Sequence, residues 1–226
     1  MKSLKQKSTW VVAATLFAAT VVACGEDGEG NLSVTTYGED FIEVEIPAAA
    51  SADGEGFVDG ASVVYSKFLV SFTDLRVANS GGEVGATLGP VGVWDLTLSG
   101  PHSMTDFTVA ADTWSDVGIT IQPDAAAVAG NASSADAQDL VANGASVRTV
   151  GAATYQGTTY NFDWYFTTAT EYRNCVDGDG VAGVVVPDGG NVQMEITVHG
   201  DHLFFDDLQA EGSALRFAAF AAADGN

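Results

Sequence analysis

The stretch "TVHGDHLFFDDL" (197–208) holds the side chains of this chain best suited to chemistry. Period-two alternation through "NVQMEITV" turns Val192, Met194, Ile196 and Val198 to one face, so Glu195, Thr197 and His199 project from the other. Gly200 interrupts the strand pattern, and Asp201, His202, Asp206 and Asp207 follow within a turn and a short helical start. Imidazoles at His199 and His202, facing each other across such a turn, can converge on one ion. Imidazole suits zinc or copper, and the carboxylates of Asp201 and Asp206 could complete the shell. The third histidine, His102 in "LSGPHSM", follows the strand containing Trp94 and can join them if loops at one end of the fold meet. The competing reading has His199 and His202 hydrogen-bonding Asp201 and Asp206, ordering the turn without metal.

A second motif, "CVDGDGVAG" (175–183), places Asp177 and Asp179 as at the start of a calcium loop. Asp188 falls at the twelfth place counted from Asp177, but Ala182 stands at the sixth, where an EF-hand loop needs glycine. A polar hairpin turn accounts for the stretch more simply than calcium does. Patterns for catalysis are missing: the chain has no GxSxG elbow, no HExxH and no P-loop. Nothing calls for an organic cofactor, and no catalytic residue is assigned. A zinc-dependent hydrolase, with water on an open metal position, ranks behind metal binding and behind a purely structural or adhesive envelope module.

The elements that must hold these residues are strands. In "TTYNFDWYFTT" (158–168) Tyr160, Phe162, Trp164 and Phe166 share one face, while Thr159, Asn161, Asp163 and Thr167 share the other. A helix would scatter those rings around its circumference. The preceding "SVRTVGAATY" (146–155) pairs with it through a Gln156-Gly157 turn. Strand-like runs recur at 31–37, 40–47, 61–78, 91–98, 116–122, 191–198 and 214–221, most of them separated by Gly, Asn, Asp or Pro. One helix interrupts them in "SSADAQDLVANG" (133–144), where Ser133 can cap and Gly144 can stop it. The pattern predicts an all-β, antiparallel β-sandwich with one or two short helices, forming a single domain over residues 32–226.

The chain starts with "MKSLKQK" and a short apolar run, the form of a secretion signal over residues 1–23. Once it is removed, five cations (Lys67, Arg76, Arg148, Arg173 and Arg216) face 30 acids. That imbalance repels nucleic acid and favours solubility and divalent cations. "GEDGEGN" (25–31) suits a flexible acidic spacer, so residues 24–31 are expected to tether the domain.

Val21-Val22-Ala23-Cys24 resembles the bacterial lipobox. That resemblance implies that the sulfur of Cys24 receives a diacylglycerol and that its freed amine takes a further acyl chain, anchoring the protein in the lipid bilayer. Gly25 after the cysteine then implies outer-membrane export in a Gram-negative cell. With Cys24 acylated, Cys175 has no intramolecular partner, and it can be a buried small residue, an intermolecular bridge or a soft metal ligand; burial is the expectation. "FVDGASVVYSKFLVSFTDLRVA", "WDLT", "FDWYFTT" and "HGDHLFFDDL" together resemble a family of uncharacterised bacterial lipoproteins, in which an acidic, EF-hand-like tail often follows the last motif. More distantly, "VWDLT…FTVAADTWSDVGITI" (93–121) is similar to methanobactin-associated periplasmic copper-binding β-sandwich lipoproteins. This likeness implies an immunoglobulin-like or transthyretin-like sandwich and admits copper as a ligand, without carrying over any ligand residue. The expected role is binding, of a metal ion or of an envelope protein.

Overall fold

A computed structural model describes residues 28–49, 55–176, 179–207 and 212–223. The signal segment, Cys24 and Asp177 lie outside the described residues. The elements run β1 (Glu29–Gly38), α1 (Asp40–Glu43), β2 (Ser62–Ala78), β3 (Val84–Leu88), β4 (Gly92–Asp95), β5 (His102–Ala110), β6 (Asp112–Trp114) and β7 (Asp116–Ile121). Then come α2 (Ser134–Asn143), β8 (Val147–Tyr155), β9 (Thr158–Phe166), β10 (Thr170–Tyr172), β11 (Val184–Val186), β12 (Asn191–Val198), a 3₁₀ turn (Gly200–Phe204) and α3 (Ala218–Ala223).

The architecture is an all-β sandwich with a few short helices. A three-stranded sheet has the order β12-β1-β5, and a seven-stranded sheet has the path β10-β7-β2-β8-β9 with β3 and β4 also pairing β2. One apolar core joins Leu32 and Val34 of β1 to Phe68, Val70, Phe72 and Leu75 of β2, with Val192, Met194, Ile196 and Val198 of β12 packed against it. The alternation read from the sequence therefore places β12 correctly. β2 is buried without interruption from Phe68 to Thr73 because both of its faces are covered. A second cluster explains the outer face: Ala137 and Leu140 of α2 lie over Leu69 and Val93.

Local chemistry produces the elements that the sequence announces. The β8–β9 hairpin turns through Gln156 and Gly157, both at positive φ (50° and 78°), as a tight two-residue turn of that hand requires. α2 begins where the Ser133 hydroxyl accepts from the Asp136 N–H at 3.1 Å and ends at Gly144 in the left-handed region.

Three expectations are corrected. Residues 40–47 do not form a strand: Asp40–Glu43 make a helical turn, and Ile46 bridges Val63 singly. Residues 214–221 give one bridging residue, Leu215, followed by α3, whose Phe220 packs on the core. β1 begins at Glu29, inside the stretch expected to be a spacer, because Glu29–Asn31 pair with Thr108–Ala110 of β5. Among the described strands the pairings are antiparallel with one exception: β1 and β12 run parallel, from Asn31 beside Asn191 to Gly38 beside Val198.

Candidate metal centre

The parallel pairing of β1 and β12 builds the site. Its last registered pair is Gly38 with Val198, so the residues that leave the two strands next, Glu39 and His199, emerge side by side. Equivalent positions of adjacent parallel strands point to the same face, and Glu39 Oε2 lies 3.0 Å from His199 Nδ1. The chain then folds into the 3₁₀ turn, which brings His202 back over His199. Their rings stack, with centroids 5.0 Å apart and planes 11° from parallel. Phe205 closes the far side, edge-on to His202 at 5.6 Å.

Gly200 is the residue that lets this turn sit down on the sandwich. A Cβ there would meet Ile42 Cγ1 at 2.5 Å and Tyr65 Cε2 at 3.1 Å. The buried Tyr65 hydroxyl donates to the Gly200 carbonyl at 2.8 Å and fixes the turn from below. Burial holds the Tyr65 phenol well above its ordinary range, and the charge of Asp201 adds to the effect.

Asp201 is the unusual member. It is 9% exposed, and its Oδ1 has no hydrogen-bond partner. A buried carboxylate oxygen left unpaired carries a desolvation cost that native structures ordinarily avoid. Ligand-capable atoms of His199, Asp201 and His202 all lie within 4.8 Å of one another. Zinc holds such donors at about 2.0–2.2 Å, so ligands on one ion stand about 3.3 Å apart. Modest rotation of the two exposed imidazoles would close the difference while the buried aspartate stays in place.

The structure sorts the other expected ligands. His102 does not join this group: it lies in β5 opposite Thr36, and its Nε2 is 2.9 Å from the Leu98 carbonyl oxygen. Asp206 is also left out, because Arg216 Nε and the Ala214 N–H donate to its two oxygens at 2.8 and 3.0 Å. The Ala214 bond first, then Arg216, holds the Asp206 carboxyl below its ordinary value. The calcium reading loses its frame. Asp177 lies outside the described residues, and Asp179 is an exposed turn residue. Val176 bridges Ala182 and β11 follows, so among the described residues no helix flanks this stretch as an EF-hand requires. Cys175 is half-buried, and burial pushes its thiol above the ordinary value with Asp116 adding to it, the opposite of an activated thiolate.

Glu39 was not legible as a site residue. Its only sequence signal is position: it immediately follows the strand that pairs with β12, and no local pattern announces a pairing between segments so distant in the chain. Further carboxylates collect on the same edge. The Tyr37 hydroxyl is raised from its ordinary value by burial first, then by Glu195, Glu39, Glu43 and Asp40. The edge around Tyr37 is therefore a local concentration of negative charge, with Glu39 common to it and to His199, and such a field draws cations.

Among the described residues no helix is long and apolar enough to cross a membrane. Comparisons of the chain with protein-family models, with curated proteins and with solved structures give no match.

Proposed function

We propose that this chain is an exported, lipid-anchored envelope protein whose β-sandwich binds a divalent transition metal through His199, Asp201 and His202. The observation that carries the metal reading is the buried carboxylate of Asp201, whose Oδ1 has no hydrogen-bond partner, grouped with two imidazoles. A cation supplies the partner that the protein withholds. Two nitrogens and an oxygen suit zinc, or copper in its divalent state, over copper(I), which favours thiolate and thioether. Binding, not turnover, is the role. Of the two acids that a hydrolase could use as general base, Asp206 and Asp207, the first is committed to Arg216 and Ala214. Removing both imidazoles tests the site: His199→Ala/His202→Ala abolishes stoichiometric zinc or copper in the purified, tag-free protein, and equal metal in parent and variant would refute it.

The anchor rests on the lipobox-like Val21-Val22-Ala23-Cys24. Each buried methylene of an acyl chain contributes about 0.8 kcal/mol, so two or more chains hold a protein stably at a bilayer. Cys24→Ser moves the protein from washed membranes to the soluble fraction; retention in membranes would remove this half of the proposal. A second reading, an envelope module without metal, is favoured by two contacts. The Glu39–His199 pair and the ring stack give both histidines a structural task in the absence of an ion.

A further inference from the structure

We infer that Glu39 is the positioning residue of this centre, orienting His199 through Nδ1 so that Nε2 is the nitrogen offered to a zinc-class ion. The inference rests on the metal reading above and adds a residue, a tautomer and a specificity to it. The geometry has three parts. Glu39 Oε2 stands 3.0 Å from His199 Nδ1, a distance at which a neutral imidazole donates its N–H to the carboxylate. Glu39 falls outside the group of atoms that gather within 4.8 Å, while it touches His199. Its backbone is fixed independently of the site: Glu39 follows the last β1–β12 pair, and its carbonyl accepts from the Ile42 and Glu43 N–H groups as α1 begins.

A ligating histidine whose second nitrogen is held by a carboxylate has its tautomer and ring plane set before the ion arrives, and its free nitrogen is more basic. His199 needs such help. Its side chain is 48% exposed and would otherwise sample several rotamers. Asp201 needs none, since burial holds it. His202 stacks on His199 in this arrangement and turns out of the stack for its lone pair to meet an ion bound to His199. The preference follows from the donor set. Two imidazole nitrogens and one carboxylate leave a coordination position open, as in an exchangeable zinc site, and offer no soft sulfur donor.

The test uses the full chain, purified without a histidine tag, with zinc affinity read by competition against a chromophoric chelator. Imidazole ¹⁵N shifts of His199 are recorded in the metal-free protein. Glu39→Ala is expected to weaken zinc 10–100-fold, on the order found for carboxylates behind ligating histidines, with an unchanged melting temperature in the metal-free state. Glu39→Gln restores most of the affinity, because its amide oxygen still accepts from Nδ1–H. The ¹⁵N shifts place the proton on Nδ1 in the parent and on a mixture of nitrogens in Glu39→Ala. A parent that protonates Nε2 overturns the inference without need of any variant. Glu39→Ala binding zinc within twofold of the parent overturns the positioning role and leaves the metal centre standing. Loss in Glu39→Ala and Glu39→Gln as complete as in His199→Ala makes Glu39 a ligand and overturns it equally. If the parent binds no zinc, the metal reading itself fails, and that outcome is distinct from the others.

Discussion

The hydroxyl of Tyr65 donates a 2.8 Å hydrogen bond to the carbonyl oxygen of Gly200, joining β2 of the large sheet to the turn that carries both histidines. Tyr65 is 6% exposed and also packs edge-on to Phe68 and Phe162, at 5.1 and 5.9 Å. This polar contact, set among aromatic rings, is one of the ties between the site and the core. Tyr65→Phe keeps the ring and leaves the buried Gly200 carbonyl short of its donor. It should lower stability by about 1–3 kcal/mol, read as a shifted urea midpoint with an unchanged slope. No shift would mean that water or a relaxed turn satisfies the carbonyl.

Asp201 should show the opposite behaviour, because function and stability pull apart there. In the metal-free protein its buried Oδ1 has no partner. Asp201→Asn removes the charge at nearly constant volume and is expected to raise metal-free stability by about 1 kcal/mol. The same change weakens zinc at least tenfold. Thermal melts with and without zinc check both halves; a variant that is destabilised and binds zinc normally would assign Asp201 to structure alone.

Phe204 ends the 3₁₀ turn and locks it into the aromatic cluster. It is 1% exposed, with Phe57 at 5.2 Å, Phe220 at 5.4 Å and Trp164 at 5.9 Å between ring centroids. Phe204→Ala should cost about 3–5 kcal/mol and release α3 from β9. Loss of amide-exchange protection in residues 217–223 ahead of the β8–β9 hairpin is the expected signature.

Acid should loosen the contact between α2 and the large sheet. Burial is the strongest single influence on Asp136 and pushes its carboxyl up. The hydrogen bonds from Lys67 and Ser133, with the charges of Lys67 and Arg148, outweigh burial and leave the carboxyl below its ordinary value. A carboxyl depressed in the folded state adds stability above its unfolded value of about 4, and that stability is lost as pH falls through the folded value. Asp136→Asn should then be less stable than the parent at pH 7, with the gap narrowing below about pH 3. Guanidinium midpoints at both pH values measure it, and a gap independent of pH contradicts the assignment.

What the sequence made legible was whatever is encoded within a few residues. The alternation of Tyr160, Phe162 and Trp164, the Gln156-Gly157 turn and the Ser133 and Gly144 caps all depend on neighbours in the chain, and all are found where the pattern puts them. Residues 40–47 misled because "DFIEVEIP" alternates like a strand, yet Asp40–Glu43 must turn the chain away from β1 toward β2. "ALRFAAFA" misled for a related reason: alanine-rich sequence favours helix, and Phe217 and Phe220, which a strand would turn to opposite faces, stack together once the helix begins at Ala218. The site was half legible. His199, Asp201 and His202 are local to one motif, whereas Glu39 reaches them only through the parallel register of strands far apart in sequence. His102 was grouped with them on the expectation that loops at one end of the fold meet, but it lies on β5, and β1 lies between β5 and β12.

Zinc titration of the tag-free protein by calorimetry, beside His199→Ala/His202→Ala, tests the central claim most directly. The account predicts one zinc per chain in the parent and none in the double variant, with a zinc-dependent rise in melting temperature confined to the parent. A flat titration of the parent, or identical zinc uptake by both proteins, would contradict it.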